Sequence, residues 1–243
     1  MITLIGTGHV FNLSDALLDI FYEKQPDILC IELDKQRFQG LMLKKNNPEK
    51  FKEQSKNQPV FYKMLSRFQD TMANEYGVIA GQEMITTVEY AQRNQKPIAF
   101  IDMNAQRLFK RMLKQMTIRE KIRLVFSGFG GFFVSKKRVE KEIDKIQDNF
   151  DYYMDAVSKK FPTIKKVLID ERNAFMAKNI LKANEEFENV IAVVGDGHIP
   201  GLLKILKIEK DVETIRLSEL RNYKSESKNS SSASFSYKYE EIQ

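Results

Sequence analysis

A chain of 243 residues, 42% apolar and 30% charged, is long enough for one well-cored domain with a heavily charged surface. It has no apolar run of roughly 18 residues and no basic, apolar leader at Met1, so neither a membrane span nor a secretory signal is expected and a cytoplasmic address is the default. The net charge of +6 comes from lysines dispersed among acids, without zinc-finger spacing or an arginine run, and no nucleic-acid partner is expected.

In chain order, Ile2 to Ile5 reads as a strand ending at Gly6. A helix follows from Ser14, which is a good N-cap residue, with Leu17, Leu18, Phe21 and Tyr22 as its apolar stripe. Pro26 opens a second strand, Ile28 to Leu33. It holds the only cysteine, Cys30, which is expected to behave as a small buried hydrophobe. Residues 35 to 75 read as polar helices interrupted near Pro48 and Pro59. A helix over about 79–94 precedes the strand Ile98 to Ile101, and another spans about 105–115. The segment 125–134 is apolar and glycine-rich with basic flanks, and breaks the helical pattern. Beyond it the periodicity predicts an amphipathic helix from Val139 to Val157, a helix over about 164–183, a strand Val190 to Val194, a short helix after Pro200 and a last strand over 212–217.

The expected fold is α/β, with a mixed, largely parallel central sheet surrounded by helices. Residues 1–222 form the domain, with a helical insertion over about 104–160, and 223–243 form a disordered Ser/Lys-rich tail.

The chain has two histidines, in matching contexts: Gly6-Thr-Gly8-His9 and Gly195-Asp-Gly197-His198. Each is a strand running through Gly-x-Gly into a histidine, so both imidazoles should be delivered to one site at the carboxyl end of a sheet. The glycines would permit positive φ or close backbone approach. A dinucleotide fingerprint fits poorly, because the third glycine is missing or displaced to Gly201. Glu32 is the only charge in an apolar strand, and burying it unpaired would cost several kcal/mol. Asp34, Arg37, Glu83, Asp102, Glu171 and Arg172 are further candidates. Two histidines with two or three carboxylates would suit a divalent metal such as zinc, manganese or cobalt.

The ordered series Gly-Thr-Gly-His-Val, Ile-Glu-Leu-Asp-x-x-Arg, Gly-Gln-Glu-Met, Ile-Asp, Glu-Arg-Asn-x-Phe-Met-Ala and Val-Val-Gly-Asp-Gly-His-Ile-Pro-Gly resembles the TraB/PrgY family over about residues 1 to 205. That family is related to the Tiki proteases and, more remotely, to erythromycin esterase-like proteins. The resemblance implies two strand-GxGH units facing one site and a metal-dependent, peptidase-like hydrolase. His9, Glu32, Glu83, Glu171, Arg172 and His198 match its polar positions, with Asp34, Arg37 and Arg107 in support. Asp102-Met103-Asn104 departs from the Asp-Arg-Asp of many relatives.

Read together, His9, His198 and Glu32 are the expected metal ligands. Glu32, Glu83, Glu171 and Arg172 are the expected catalytic groups. Gly6, Gly8, Asp34, Arg37, Asp102, Arg107, Gly195 and Gly197 support them. The substrate would be a peptide or a small amide or ester; a peptide-binding module that does not cleave is the alternative. Segment 125–134 leaves open a lid or homodimer contact, a peripheral membrane contact, or plain packing.

Overall fold

The computed structural model describes residues 1–8, 11–55, 81–131 and 158–223, with backbone only at 52, 54, 55 and 125–131. The expected tail from 224 onward, the helix from Val139 to Val157 and the stretch 132–134 lie outside the described residues.

Among the described residues five strands form one sheet in the order β3-β2-β4-β1-β5. They are β1 (Ile2–Thr7), β2 (Ile28–Ile31), β3 (Ile98–Phe100), β4 (Val190–Gly195) and β5 (Val212–Ile215), and every pairing is parallel. The sequences ILCI and VIAVV are apolar at successive positions because both sheet faces are covered. One face packs under α1 (Ser14–Lys24), α4 (Gln82–Arg93) and α10 (Leu217–Arg221), through Leu17, Phe21, Met84, Val88 and Leu220. The other packs under α8 (Glu171–Glu186) and α9 (Ile199–Leu206), through Met176, Ile180, Leu202 and Leu206. The polar helices α2 (Lys35–Asn46) and α3 (Pro48–Ser55) follow β2.

Connections from β1 and β2 therefore run over the first face, and those flanking β4 over the second. β1 and β4 are neighbours in register, Gly6 opposite Val194 and Thr7 opposite Gly195. Adjacent strands whose chains leave to opposite faces open a crevice at the carboxyl edge of the sheet. Both Gly-x-Gly turns begin there.

Between β3 and β4 lie α5 (Ala105–Gln115), α6 (Ile118–Gly131) and α7 (Pro162–Lys165), the last continuing through a π-helical turn, Lys166–Asp170, into α8. Leu108, Met112, Met116 and Val167 give this region its own small core.

Local details differ from the sequence reading in three places. Ser14 begins α1 without capping it; its hydroxyl bonds Thr86 Oγ1 at 2.9 Å, while its N–H donates to Asn12 Oδ1 at 3.4 Å. Segment 125–131 continues α6 as helix. The apolar positions 118, 122, 125, 126 and 129 are spaced as in a helix. The positive-φ glycine among the described residues is Gly81, so Gly6, Gly8, Gly195 and Gly197 do not use left-handed backbone.

Candidate functional site

Glu32 follows β2 and lies in line with Ile28 and Cys30, toward the face covered by α8. Its carboxylate gathers two donors and an imidazole from distant segments. The Gly195 N–H at the end of β4 donates to Oε2 at 2.7 Å, the Arg172 guanidinium on α8 donates to Oε1, and His198 Nε2 stands 3.4 Å from Oε1. Burial alone would raise the acid's pKa. The protonated form of His198, the charge of Arg172 and the Gly195 N–H outweigh it and hold the carboxyl well below the usual range.

Arg172 spans two acids. Its Nε and Nη2 donate to Asp102 at 3.0 and 2.8 Å, Nη2 also reaches Glu32, and Nη1 donates to the Leu168 carbonyl at 3.4 Å. Burial would lower the guanidinium pKa, but Asp102 and Glu32 raise it above its ordinary value. Asp102 also accepts from Arg37 Nη1 at 3.2 Å and from the Met103 N–H at 2.7 Å. A planar fork suits this task in a way that a lysine ammonium would not.

His198 closes the Asp196–His198 turn after β4 and is 6% exposed. Its Nδ1 lies 2.7 Å from Asn173 Oδ1. An amide oxygen can only accept, so Nδ1 carries the proton and Nε2 faces Glu32. Asn173 was not among the residues expected for the site. Its signal was available: it falls three and four positions before Met176 and Ala177, on the buried stripe of α8.

Other expected residues support the edge of the sheet. Asp34 caps α2, accepting from the Gln36 and Arg37 N–H groups at 2.9 and 3.1 Å, and also takes the Ala105 N–H at 3.2 Å. Asn104 caps α5, accepting the Arg107 N–H at 3.0 Å, and Arg107 is exposed. Gly6 serves by close approach: a Cβ there would stand 2.2 Å from Asp196 Oδ1. Asp196 is held in turn by Arg216 at 2.9 and 2.7 Å and by the Leu217 N–H at 2.8 Å, a clamp the sequence reading missed. A Cβ on Gly8 would meet Leu217 and Phe11.

One expected residue is paired outside this group. Glu171 forms a half-exposed, two-pronged ion pair with Arg111, at 3.1 and 3.2 Å. Glu83 is buried in the first turn of α4, a helix packed on the opposite face of the sheet. His9 lies outside the described residues. Cys30 is fully buried and its thiol is pushed up to about 12 by burial, as suits a packing residue.

Among the described residues no group of three or more His, Cys, Asp or Glu side chains is gathered to hold a metal ion. The Glu32–His198 pair nevertheless has the spacing of two donors on one ion: bonds of ~2.0–2.1 Å at a tetrahedral angle place donors ~3.4 Å apart. Anchoring of the second ring nitrogen, as by Asn173, is also usual for a metal-bound histidine.

The TraB/PrgY/gumN family profile matches residues 1–212, covering both Gly-x-Gly-His turns and every residue of the Glu32 group. The chain belongs to the TraB/PrgY/gumN family. Within the family it is similar to an uncharacterized protein of Methanocaldococcus jannaschii, 28% identical over 235 residues, or 93% of this chain and 58% of the relative. The chain thus spans little more than half the length of that relative. No helix among the described residues is long and apolar enough to cross a membrane.

Proposed function

We propose that the carboxyl edge of the sheet is the active site of a metal-dependent hydrolase acting on a peptide or small amide. The observation that carries this reading is the pairing of a buried, Asn173-anchored His198 with an ionised Glu32 at donor spacing. Glu32 and His198 would hold a divalent ion such as zinc, manganese or cobalt, with His9 as the further ligand expected from sequence. When bound, the ion would polarise a carbonyl and lower the pKa of its water.

The chain's own groups have separate parts. Glu32, held strongly ionised, is a poor proton acceptor and serves as an anionic anchor. Arg172 fixes Glu32 against Asp102, because its donors are already aimed at those carboxylates. Glu83 is the remaining expected carboxylate for accepting a proton.

One observation favours a second reading, a peptide-binding module without turnover. Arg172 and Arg37 together already balance the charges of Glu32 and Asp102 with no cation required. Metal analysis of the purified chain, then a peptide-library cleavage screen with manganese or cobalt, separates the two. Stoichiometric metal and cleavage, both lost in His198→Ala, are expected. Peptide binding without metal or cleavage would establish the second reading instead.

A further inference from the structure

The Glu-Arg-Asn triplet at the start of α8 contains a residue that the chemistry above uses only indirectly. Asn173 is 4% exposed, and its amide oxygen meets His198 Nδ1 at 2.7 Å across 25 residues of chain. A buried amide of this kind is retained only where its hydrogen bonds are satisfied. The approach needs room, and Gly201 supplies it. A Cβ on Gly201 would lie 2.1 Å from Asn173 Nδ2 and 3.0 Å from its Cγ. Gly201 sits in the first turn of α9, where alanine would be the better helix former by about 0.5–1 kcal/mol. A glycine there is explained by the amide that occupies the space.

We propose that Asn173 is the positioning residue of His198: its amide oxygen holds the imidazole proton on Nδ1 and turns Nε2 toward Glu32, and Gly201 is the socket that admits the amide. Free neutral imidazole favours the opposite tautomer, with the proton on Nε2, so this pair inverts the intrinsic preference. The consequence for metal binding rests on the function proposed above, because only a tautomer with a bare Nε2 can donate to an ion beside Glu32. The tautomer itself does not rest on that reading.

The presence of two histidines in the whole chain makes the test direct. The full-length protein is labelled with ¹⁵N-histidine and examined by long-range ¹H–¹⁵N correlation at pH about 8.5, above the ordinary imidazole pKa of ~6.5. His9→Gln assigns the two rings. In the wild type, His198 Nδ1 is expected to be protonated. Asn173→Leu and Gly201→Ala should lose that preference, while Asn173→Asp, which keeps an acceptor, should retain it. Gly201→Ala and Asn173→Asp decide the matter alone should Asn173→Leu fail to fold. An unprotonated Nδ1 in the wild type, or folded Gly201→Ala with an unchanged His198 spectrum, would overturn the proposal. Zinc titration adds the functional arm, with affinity expected to fall roughly 10- to 100-fold in Gly201→Ala. A wild type that binds no zinc but keeps the Nδ1 proton would sink the metal reading and leave the positioning role standing.

Discussion

At Glu32 two demands oppose each other: burial disfavours a charge, and Arg172 and the Gly195 N–H both require one. Glu32→Gln keeps the shape and removes the charge, leaving Arg172 with Asp102 alone. Hydrogen bonds to charged groups are worth ~1.5–3 kcal/mol, so a loss of about 2–3 kcal/mol is expected in urea unfolding. Glu171→Gln should cost under about 0.5 kcal/mol, because Arg111 is 54% exposed and surface pairs contribute little. Equal losses would mean that the Glu32 network is no stronger than a surface ion pair. The contrast also marks how far the sequence could be read. A lone acid in an apolar strand announced Glu32, and the repeated glycine turn announced His198. The partner of Glu32 was harder, because two adjacent helical residues, Glu171 and Arg172, look equally available in one dimension. Only the phase set by Met176, Ala177 and Ile180 turns Arg172 and Asn173 inward and leaves Glu171 to Arg111.

The α6–α7 junction shows what one acid can do for an element. Thr117 and Glu120 form a reciprocal cap at the start of α6: the Glu120 N–H donates to Thr117 Oγ1 at 3.2 Å, and the Thr117 N–H donates back at 2.9 Å. The same carboxylate takes the Thr163 N–H and hydroxyl, both at 2.9 Å, and so ties α6 to α7. Burial would raise its pKa, but these backbone and hydroxyl donors lower it below the ordinary 4.5. A depressed folded value means the stabilisation is present above about pH 4.5 and is lost as pH falls below it. Glu120→Gln should therefore flatten the decline in stability between about pH 5 and pH 3, and Glu120→Ala should cost roughly 2–3 kcal/mol at neutral pH. Acid unfolding curves of Glu120→Gln and wild type that stay parallel would argue against this. The Thr-x-x-Glu spacing of that cap is in the sequence but was not among the expectations, whereas several element boundaries were marked by proline or glycine. The continuation of α6 to Gly131 was not, since three glycines concealed a register carried by Ile118 and Ile122.

At the scale of the whole molecule, the order β3-β2-β4-β1-β5 could not be read from local pattern, because β1 pairs with strands about 190 and 210 positions away. This arrangement makes the C-terminal boundary more demanding than the family match suggests. That match ends at residue 212, yet β5 and α10 run from Val212 to Arg221. β5 covers one edge of β1, and Arg216 and the Leu217 N–H hold Asp196 in the turn that leads to His198. Val212, Ile215, Leu217 and Leu220 are each under 9% exposed. At ~1.5–3 kcal/mol per buried side chain, the four contribute about 6–12 kcal/mol as an upper estimate, comparable to the ~5–15 kcal/mol stability of a whole domain. Truncation after Asp211 would also leave the N–H and C=O groups of β1 unpaired on an apolar edge, a template for intermolecular pairing. The truncated chain is expected to lose its cooperative thermal transition and to enlarge in light scattering, while the full chain stays cooperative. A truncated monomer melting within about 5 °C of the full chain would show that β1 is held adequately by β4 alone.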